Sequence, residues 1–244
     1  YKEMAEGDDH LKTGSVRRLI VGEPVGVFYG YRFDGIFQNE EECKQQTSSA
    51  APIGVGLRRY KDLNGDGKVD AVNDREILGN ANPKFFGGLT NTFAYKGFEL
   101  NVFLQYSVGN KILNYNAMEL ETPSGGQNAY ADMVNRWTPE NPSNIYPKAT
   151  TNRNVLVSDR FIEDGSYLKL KTLSLSYSFP KVNIKHIQGL RIYVTGQNLL
   201  TWTKYRGYDP EVSYRGASTL ESGEDYGGYP QSRTFMLGVK LDIK

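Results

Sequence analysis

The chain has 244 residues, of which 39% are hydrophobic, and its 29 basic and 28 acidic side chains leave a formal net charge of +1. This balance provides no basic surface for neutralising phosphates and argues against nucleic acid as a partner. The single cysteine, Cys43, excludes an internal disulfide and a zinc site built on thiolates. No run reaches the roughly 18 apolar residues that a transmembrane helix needs.

Residues 1–84 have a loop-like composition, because glycine and proline interrupt each short apolar run. Segments 16–21 and 25–37 have strand propensity, and the glycines in the second predict bent or bulged strands. Residues 40–52 are polar and predict either a short helix or disorder. We therefore expect this region to be mainly a loop segment.

Residues 62–74, DLNGDGKVDAVND, place oxygen-bearing side chains at every second position with glycines between them. This spacing matches an EF-hand-type loop, which has ligands at positions one, three, five, seven and nine and glycine at six. Position twelve is Asn73, and the acid Asp74 comes one residue later. A solvated turn is the alternative, since Asn-Gly and Asp-Gly form turns without a metal. The predicted ligands of one structural Ca²⁺ are Asp62, Asn64, Asp66, the Lys68 carbonyl, Asp70 and Asp74.

From residue 85 onward the hydrophobic pattern has a period of two, which predicts β-strands with one apolar face. In residues 98–108 apolar and polar side chains alternate, with Phe103 as the one exception. The alternation changes phase near Lys171 and Thr172, which predicts a β-bulge. The five predicted strands cover residues 85–95, 98–108, 166–179, 190–201 and 233–243.

The connections between these predicted strands alternate between short and long. Lys96-Gly97 and residues 180–189 are short links, whereas residues 109–166 and 201–232 are long. This alternation is typical of outer-membrane barrels, which have short periplasmic turns and long external loops.

The sequence carries no motif for catalysis. Its two histidines, His10 and His186, lie beside no nucleophile or acid motif, and nucleotide-binding glycine motifs, zinc motifs and serine elbows are missing. Asp159, Glu163 and Asp164 come closest to a carboxylate cluster, and we expect them to be solvated. The protein is therefore predicted not to be an enzyme.

Several phrases in order carry a family resemblance. They are VGEPVGVFYGYRFDGIFQ (21–38), RYKDLNGDGKVD (59–70), NRWTPENPSN (135–144), FIEDGSYLKLKTLSLSYSF (161–179) and GQNLLTWTKYRGYDPEV (196–212). With these phrases the chain resembles the C-terminal part of the SusC-type (SusC/RagA family) TonB-dependent outer-membrane transporters of Bacteroidetes.

The resemblance implies an all-β fold, namely the C-terminal strands of a 22-stranded antiparallel transmembrane β-barrel with long extracellular loops, located in the bacterial outer membrane. Residues 1–84 would then be an extracellular loop segment with the calcium-type loop, and residues 85–244 the last five or so barrel strands, in contact with outer-membrane lipid.

The function implied by the resemblance is import of glycans or peptides together with a SusD-type surface lipoprotein. The TonB complex would act through an N-terminal part that this chain does not hold. The alternative function is that of a soluble calcium-dependent β-domain that binds carbohydrate. Aromatic side chains in the long connections fit either function and identify no substrate site: Trp202, Tyr205, Tyr208, Tyr214, Tyr226 and Tyr229.

Overall fold

The computed structural model describes residues 10–13, 16–122, 128–151, 155–182, 184, 186–211, 214 and 222–243. The chain divides into two compact units. Unit 1 consists of Tyr1–Asn82, Asn110–Asp164 and Glu211–Gly228. Unit 2 consists of Pro83–Gly109, Gly165–Pro210 and Tyr229–Lys244. In this division much of each long connection belongs to unit 1 and not to the strand region. The predicted boundary at residue 84 stays a prediction.

The described residues are mostly strands, with a few short helices. The strands are β1 (His10–Thr13), β2 (Arg17–Ile20), β3 (Val27–Gly30), β4 (Phe33–Ile36), β5 (Thr47–Ser48), β6 (Arg58–Tyr60), β7 (Lys68–Val69), β8 (Glu76–Asn80), β9 (Phe85–Tyr95), β10 (Phe98–Val108), β11 (Lys111–Asn114), β12 (Ile162–Asp164), β13 (Tyr167–Ser178), β14 (Ile187–Thr203), β15 (Glu224–Asp225) and β16 (Thr234–Ile243). The helices are α1 (Glu40–Lys44) and α2 (Tyr115–Leu120), with 3-10 helices at Ala131–Asn135 and Asp159–Phe161. Among the helices that the structure describes, none combines the length and the apolar character needed to cross a membrane.

Unit 2 is built on a five-stranded antiparallel sheet with the order β16-β14-β13-β10-β9. Each of its strands begins and ends within three residues of the bounds expected from the sequence. In the described part of the chain, β9 and β16 are edge strands that each pair with one neighbour.

The predicted hairpin between β9 and β10 is confirmed. Tyr95 pairs with Phe98 across a two-residue turn. Both turn residues have positive φ, 45° at Lys96 and 88° at Gly97. Positive φ at both central positions is what a type I′ turn requires, and the twist of that turn matches the twist of the flanking strands.

The predicted bulge in β13 is also confirmed. The register shifts at Lys171 in the pairing with β10 and again in the pairing with β14. Leu170 pairs with Leu104 before the shift, and Leu173 pairs with Val102 after it. The extra residue therefore keeps the leucines of both halves of β13 on one face of the sheet.

One face of this sheet is apolar from edge to edge. The register places one residue of each strand in a continuous row: Phe93, Leu100, Leu175, Val194 and Leu237. Large parts of these side chains are exposed, with 61% for Phe93 and 79% for Leu237. An exposed apolar surface of this extent marks a contact with another protein or with lipid.

The opposite face carries polar side chains that are hydrogen-bonded to one another. Arg191 Nη2 donates to Glu99 Oε1 at 2.5 Å and to Ser176 Oγ at 2.7 Å. The hydroxyl oxygens of Ser174 and Thr195 are 2.7 Å apart. The sheet therefore separates an apolar surface from a polar one.

A glycine on this polar face is covered by an aromatic ring. Gly238 pairs with Tyr193, and a Cβ added at Gly238 would lie 2.1 Å from Tyr193 Cζ. Gly238→Val must displace the ring, so we expect a loss of about 1–3 kcal/mol in the free energy of unfolding. Urea unfolding of the full-length protein measures it, with Met236→Val on the same strand and face as the control. Equal midpoints for both variants would show that the ring contact contributes nothing.

Unit 1 consists of several small sheets. A four-stranded sheet has the order β1-β2-β3-β8, a three-stranded sheet has the order β12-β11-β15, and β4 pairs with β6 and β5 with β7. β2, β3 and β4 lie in the two segments with predicted strand propensity. The assignment to an extracellular loop segment stays a prediction for the region 1–84. Its strands have only two to five residues, so they depend on tertiary contacts more than on a pattern that the sequence displays.

The core of unit 1 brings together residues that are far apart in the sequence. Phe28, Leu113 and Phe161 are fully buried in one cluster. Arg17 is buried with its guanidinium carbon 4.2 Å from the centre of the Phe28 ring, and its Nε donates to Glu224 Oε1 at 2.9 Å. The ion pair and the aromatic contact together compensate the burial of the charge.

Candidate functional site

The acidic loop, residues 62–74, connects β6 to β8 in unit 1. Asp62 accepts two backbone hydrogen bonds, from Gly65 N at 2.7 Å and from Gly67 N at 2.6 Å. The two glycines have φ of +78° and +80°, a conformation that side chains with a Cβ rarely adopt. The glycines thus let the chain fold around the Asp62 carboxylate.

The next two predicted ligands also face their own backbone. Asn64 Oδ1 accepts from Asp66 N at 3.2 Å, and Asp66 Oδ1 accepts from Lys68 N at 2.8 Å. The Asn64 amide donates to Asp66 Oδ2 at 3.0 Å. Asn64, Asp66 and Lys68 are all exposed, so the side-chain oxygens of Asn64 and Asp66 lie on the surface of a turn.

Asp70 closes the second half of the loop. Its Oδ1 accepts from Val72 N at 2.8 Å and from Asn73 N at 2.9 Å. The backbone N–H groups of Asn73 and Val72 hold the pKa of Asp70 below its ordinary value, because hydrogen bonds to the charged form favour it. Asp70 is therefore ionised at neutral pH and adds a negative charge to the loop.

Asp74 differs from the other acids in being fully buried. Its Oδ1 accepts from Leu63 N at 2.7 Å and its Oδ2 from Asp70 N at 2.7 Å. The carboxylate therefore joins the two ends of the loop through backbone hydrogen bonds. Its predicted role as a metal ligand stays a prediction, since each oxygen retains a second lone pair.

The loop has the donor set of a hard-cation site, because carboxylate and amide oxygens are the ligands that Ca²⁺ prefers. Within the part of the chain that the structure describes, no group of three or more His, Cys, Asp or Glu side chains converges as metal ligands. Metal binding would thus require the carboxylates to move closer together around the ion.

The tyrosine cleft is a surface site of about 230 Å³ in unit 1, lined by Tyr115, Glu119, Tyr214, Glu224 and Tyr226. The Tyr226 ring packs edge-on against Tyr115, with centroids 5.9 Å apart, and against Tyr214, with centroids 5.4 Å apart. The sequence analysis identified Tyr214 and Tyr226 as loop aromatics but did not identify Tyr115. No local signal links Tyr115 to Tyr226, which follows more than a hundred residues later.

The other loop aromatics, namely Trp202, Tyr205, Tyr208 and Tyr229, do not line this cleft. Tyr208 and Tyr229 are more than 80% exposed, and Trp202 is 51% exposed. Tyr205, in contrast, is buried with 5% exposure. Burial therefore removes Tyr205 from the candidate contact residues, whereas the exposed rings are available for contacts.

The acids near residue 160 are not simply solvated, which corrects the sequence-based expectation. Asp159 Oδ1 accepts from Phe33 N at 2.8 Å, and Glu163 Oε1 accepts from Asn114 Nδ2 at 3.0 Å. Both are half-buried. They stabilise the packing of unit 1, because they bind backbone and side-chain donors brought from distant segments.

No model of a known protein family matches the chain, but individual relatives do. The TonB-dependent receptor P3 of Formosa agariphila is 38% identical over 253 residues, which cover 98% of this chain and 25% of the receptor. The TonB-dependent receptor P26 of the same bacterium is 34% identical, covering 96% of this chain and 24% of the receptor. The TonB-dependent receptor SusC of Bacteroides thetaiotaomicron is 28% identical, covering 75% of this chain and 17% of the receptor.

Solved structures share the fold. A structure of the RagAB peptide transporter has a TM-score of 0.76 and 24% identity, covering 98% of this chain and 25% of that chain. The RagAB peptide importer in its open-open state has a TM-score of 0.74 and 22% identity, with the same coverage. At these identities the likeness shows the fold alone. It confirms the predicted all-β class with strands of the barrel type.

The sheet and the relatives together identify the chain as belonging to a protein of the bacterial outer membrane. The chain belongs to the SusC-type TonB-dependent receptors, which confirms the family resemblance. It spans about a quarter of the length of the P3 and P26 receptors. These relatives and structures are named as receptors, transporters and importers.

Proposed function

We propose that the chain is part of an outer-membrane transporter that imports oligosaccharides or peptides. Membership of the SusC-type receptors supports the transport class. The RagAB structure is named as a peptide importer. Together with the SusC relative it supports an oligosaccharide or a peptide as the imported nutrient. The observation that carries the proposal is the sheet of unit 2, which presents an exposed apolar face on one side and a hydrogen-bonded polar face on the other.

This two-faced sheet fits the wall of a transmembrane barrel. In such a wall the apolar side chains contact lipid and the polar ones face the interior. The edge strands β9 and β16 present unpaired backbone groups over ten or eleven residues each. Backbone groups at membrane depth need partners, so the sheet continues into further strands of the full-length protein.

The partners follow from the same proposal. A SusD-type surface lipoprotein delivers the nutrient, and the TonB complex drives import through a part of the full-length protein outside this chain. The alternative of a soluble carbohydrate-binding β-domain gains no support, because leaving the apolar face of the sheet exposed to water would be costly in free energy.

Nutrient uptake by the source bacterium tests the proposal. A strain that lacks the gene should lose uptake of one labelled oligosaccharide or peptide pool, and the intact gene should restore it. A protonophore should abolish the same uptake, because TonB-driven import needs the proton gradient, whereas passive diffusion does not. Unchanged uptake in the deletion strain for every pool, or uptake that resists the protonophore, would contradict the proposal.

We also expect the long connections, residues 109–166 and 204–233, to be extracellular. They are long, whereas Lys96-Gly97 at the other ends of the strands is a two-residue turn, and this asymmetry matches the external and periplasmic ends of such barrels. Protease added to intact cells should cut within the long connections and spare the turn. Cleavage seen only after permeabilisation would reverse the orientation.

We further propose that the acidic loop binds one Ca²⁺ with a structural role. Three exposed or half-exposed carboxylates, of Asp62, Asp66 and Asp70, lie within nine residues, and Ca²⁺ accepts six to eight oxygens in flexible geometry. Ca²⁺ is favoured over Mg²⁺, which demands a strict octahedron and retains its waters. The ion would stiffen the segment before β8, and transport would not involve it.

Calorimetric titration of the full-length protein with Ca²⁺ checks this second proposal. We expect a dissociation constant of about 10⁻⁷ to 10⁻³ M, and a loss of binding in Asp66→Asn. Asp34→Asn, which changes an acid outside the loop, is the matched control. Asp74→Asn neutralises the acid and keeps only one acceptor for the two backbone N–H groups, so its unfolding midpoint is measured beside its Ca²⁺ affinity. A loss of Ca²⁺ affinity without a comparable loss of stability would identify Asp74 as a metal ligand. No heat at millimolar Ca²⁺ would leave the solvated turn as the correct interpretation.

A further inference from the structure

A cavity of about 20 Å³ lies inside unit 1, away from the acidic loop and the tyrosine cleft. Its lining includes the polar residues Arg58, Tyr60 and Thr122 together with the apolar residues Leu57 and Pro147. A cavity needs roughly 10–15 Å³ to hold one water-sized particle. The space therefore admits one water molecule or one monatomic ion.

Two residues that line this cavity each carry a polar atom without a hydrogen-bond partner in the described part of the chain. These atoms are Arg58 Nε and Thr122 Oγ1, and both are buried. The residues themselves are 7% and 3% exposed. Because buried donors in native proteins are nearly always satisfied, two such atoms on one cavity indicate a bound particle that accepts hydrogen bonds.

The charge around the cavity identifies the kind of particle. Arg58 Nη2 donates to the backbone carbonyl of Glu121 at 3.0 Å, not to its carboxylate. The Glu121 carboxylate instead accepts two hydrogen bonds from Arg160, at 2.9 Å and 2.6 Å. Among these described groups, two guanidinium charges therefore share one carboxylate.

Arg58 is a buried cation. Burial is the main cause that lowers the pKa of Arg58; Tyr60 and Glu121 act in the opposite direction, and the positive charge of Arg160 lowers the pKa. The guanidinium carbon lies 5.6 Å from the centre of the Phe161 ring, which offers only a weak compensation for a buried cation. A negative charge in the cavity would neutralise the excess, whereas a neutral water would not.

We propose that this cavity binds a single monatomic anion of the chloride class, held by Arg58 Nε–H and Thr122 Oγ–H. A halide accepts hydrogen bonds and donates none, so it satisfies both orphan donors at once. It also balances the second guanidinium charge. The anion joins β6 to the segment that follows α2, and its role is to stabilise unit 1.

Crystals of the full-length protein grown in bromide test the site directly. We expect an anomalous bromide peak within hydrogen-bond distance of Arg58 Nε and Thr122 Oγ1. Thr122→Val should abolish the peak while the surrounding main chain stays in place. Density without anomalous signal would identify a water and overturn the proposal.

A solution measurement supplies an independent check. Replacing gluconate by about 150 mM chloride at constant ionic strength should raise the thermal unfolding midpoint of the full-length protein by about 1 °C, because the shift per kcal/mol falls as chain length rises. Thr122→Val should lose most of this rise, whereas the control Thr90→Val, which lies on β9 and does not line the cavity, should retain it. Equal midpoints in the two salts, or a rise that Thr122→Val retains, would contradict the proposal.

Discussion

Val102→Arg should destabilise the full-length protein in lipid by about 2–4 kcal/mol. Val102 lies near the centre of β10, on the same face as Leu100 and Leu104 and paired with Leu173. If this face contacts lipid, position 102 falls close to the bilayer midplane, where a guanidinium is most costly. Urea titration of folding into lipid vesicles gives the free energy.

Asn101→Arg is the matched control, because it places the same side chain one residue away on the opposite face. Asn101 donates to Thr92 Oγ1 at 2.9 Å, so the substitution removes one hydrogen bond, about 0.5–1.5 kcal/mol. Equal costs for the two variants would contradict the lipid-facing assignment. If neither variant folds, nitroxide labels at positions 100 and 101 settle the question, since only the first should be quenched by oxygen dissolved in lipid.

The parts of the fold that the sequence predicts well are those governed by neighbouring residues. The bulge at Lys171 is visible as a change of phase in an alternating pattern, and the hairpin at Lys96-Gly97 as a two-residue gap between two such patterns. The turns of the acidic loop follow in the same way, because Asp62 and its glycine partners lie within five residues. Local chemistry determines each of these features.

The features that the sequence does not predict are those that depend on distant partners. The tyrosine cleft joins Tyr115 to Tyr226, and the cavity in unit 1 joins Arg58 to Thr122. The sheet β12-β11-β15 of unit 1 belongs to the same class, since its three strands come from widely separated segments. Charge, aromatic character and hydroxyl groups are visible in the sequence, but the tertiary contacts that bring them together are not.

Lys169→Met should cost about 3–5 kcal/mol in the free energy of unfolding. Lys169 Nζ lies 2.6 Å from Asp209 Oδ1, and the two side chains are 2% and 7% exposed. Asp209 Oδ2 also accepts from Gln231 N at 3.2 Å, so one carboxylate joins β13 to both ends of a long connection. Removing the lysine leaves that carboxylate buried without its cation, which is the costly step.

Two further variants distinguish the effect of breaking the ion pair on the free energy of unfolding from the effect of removing any lysine of this strand. Lys171→Met on the same strand removes an exposed contact with Gln231 Oε1 and should cost less than about 1 kcal/mol. The double variant Lys169→Met with Asp209→Leu should recover much of the loss, because both charges of the pair are removed. Urea unfolding of the full-length protein compares all three. If Lys169→Met costs no more than Lys171→Met, the buried pair does not anchor the connection; if the double variant is as unstable as the single one, packing and not the stranded charge determines the loss.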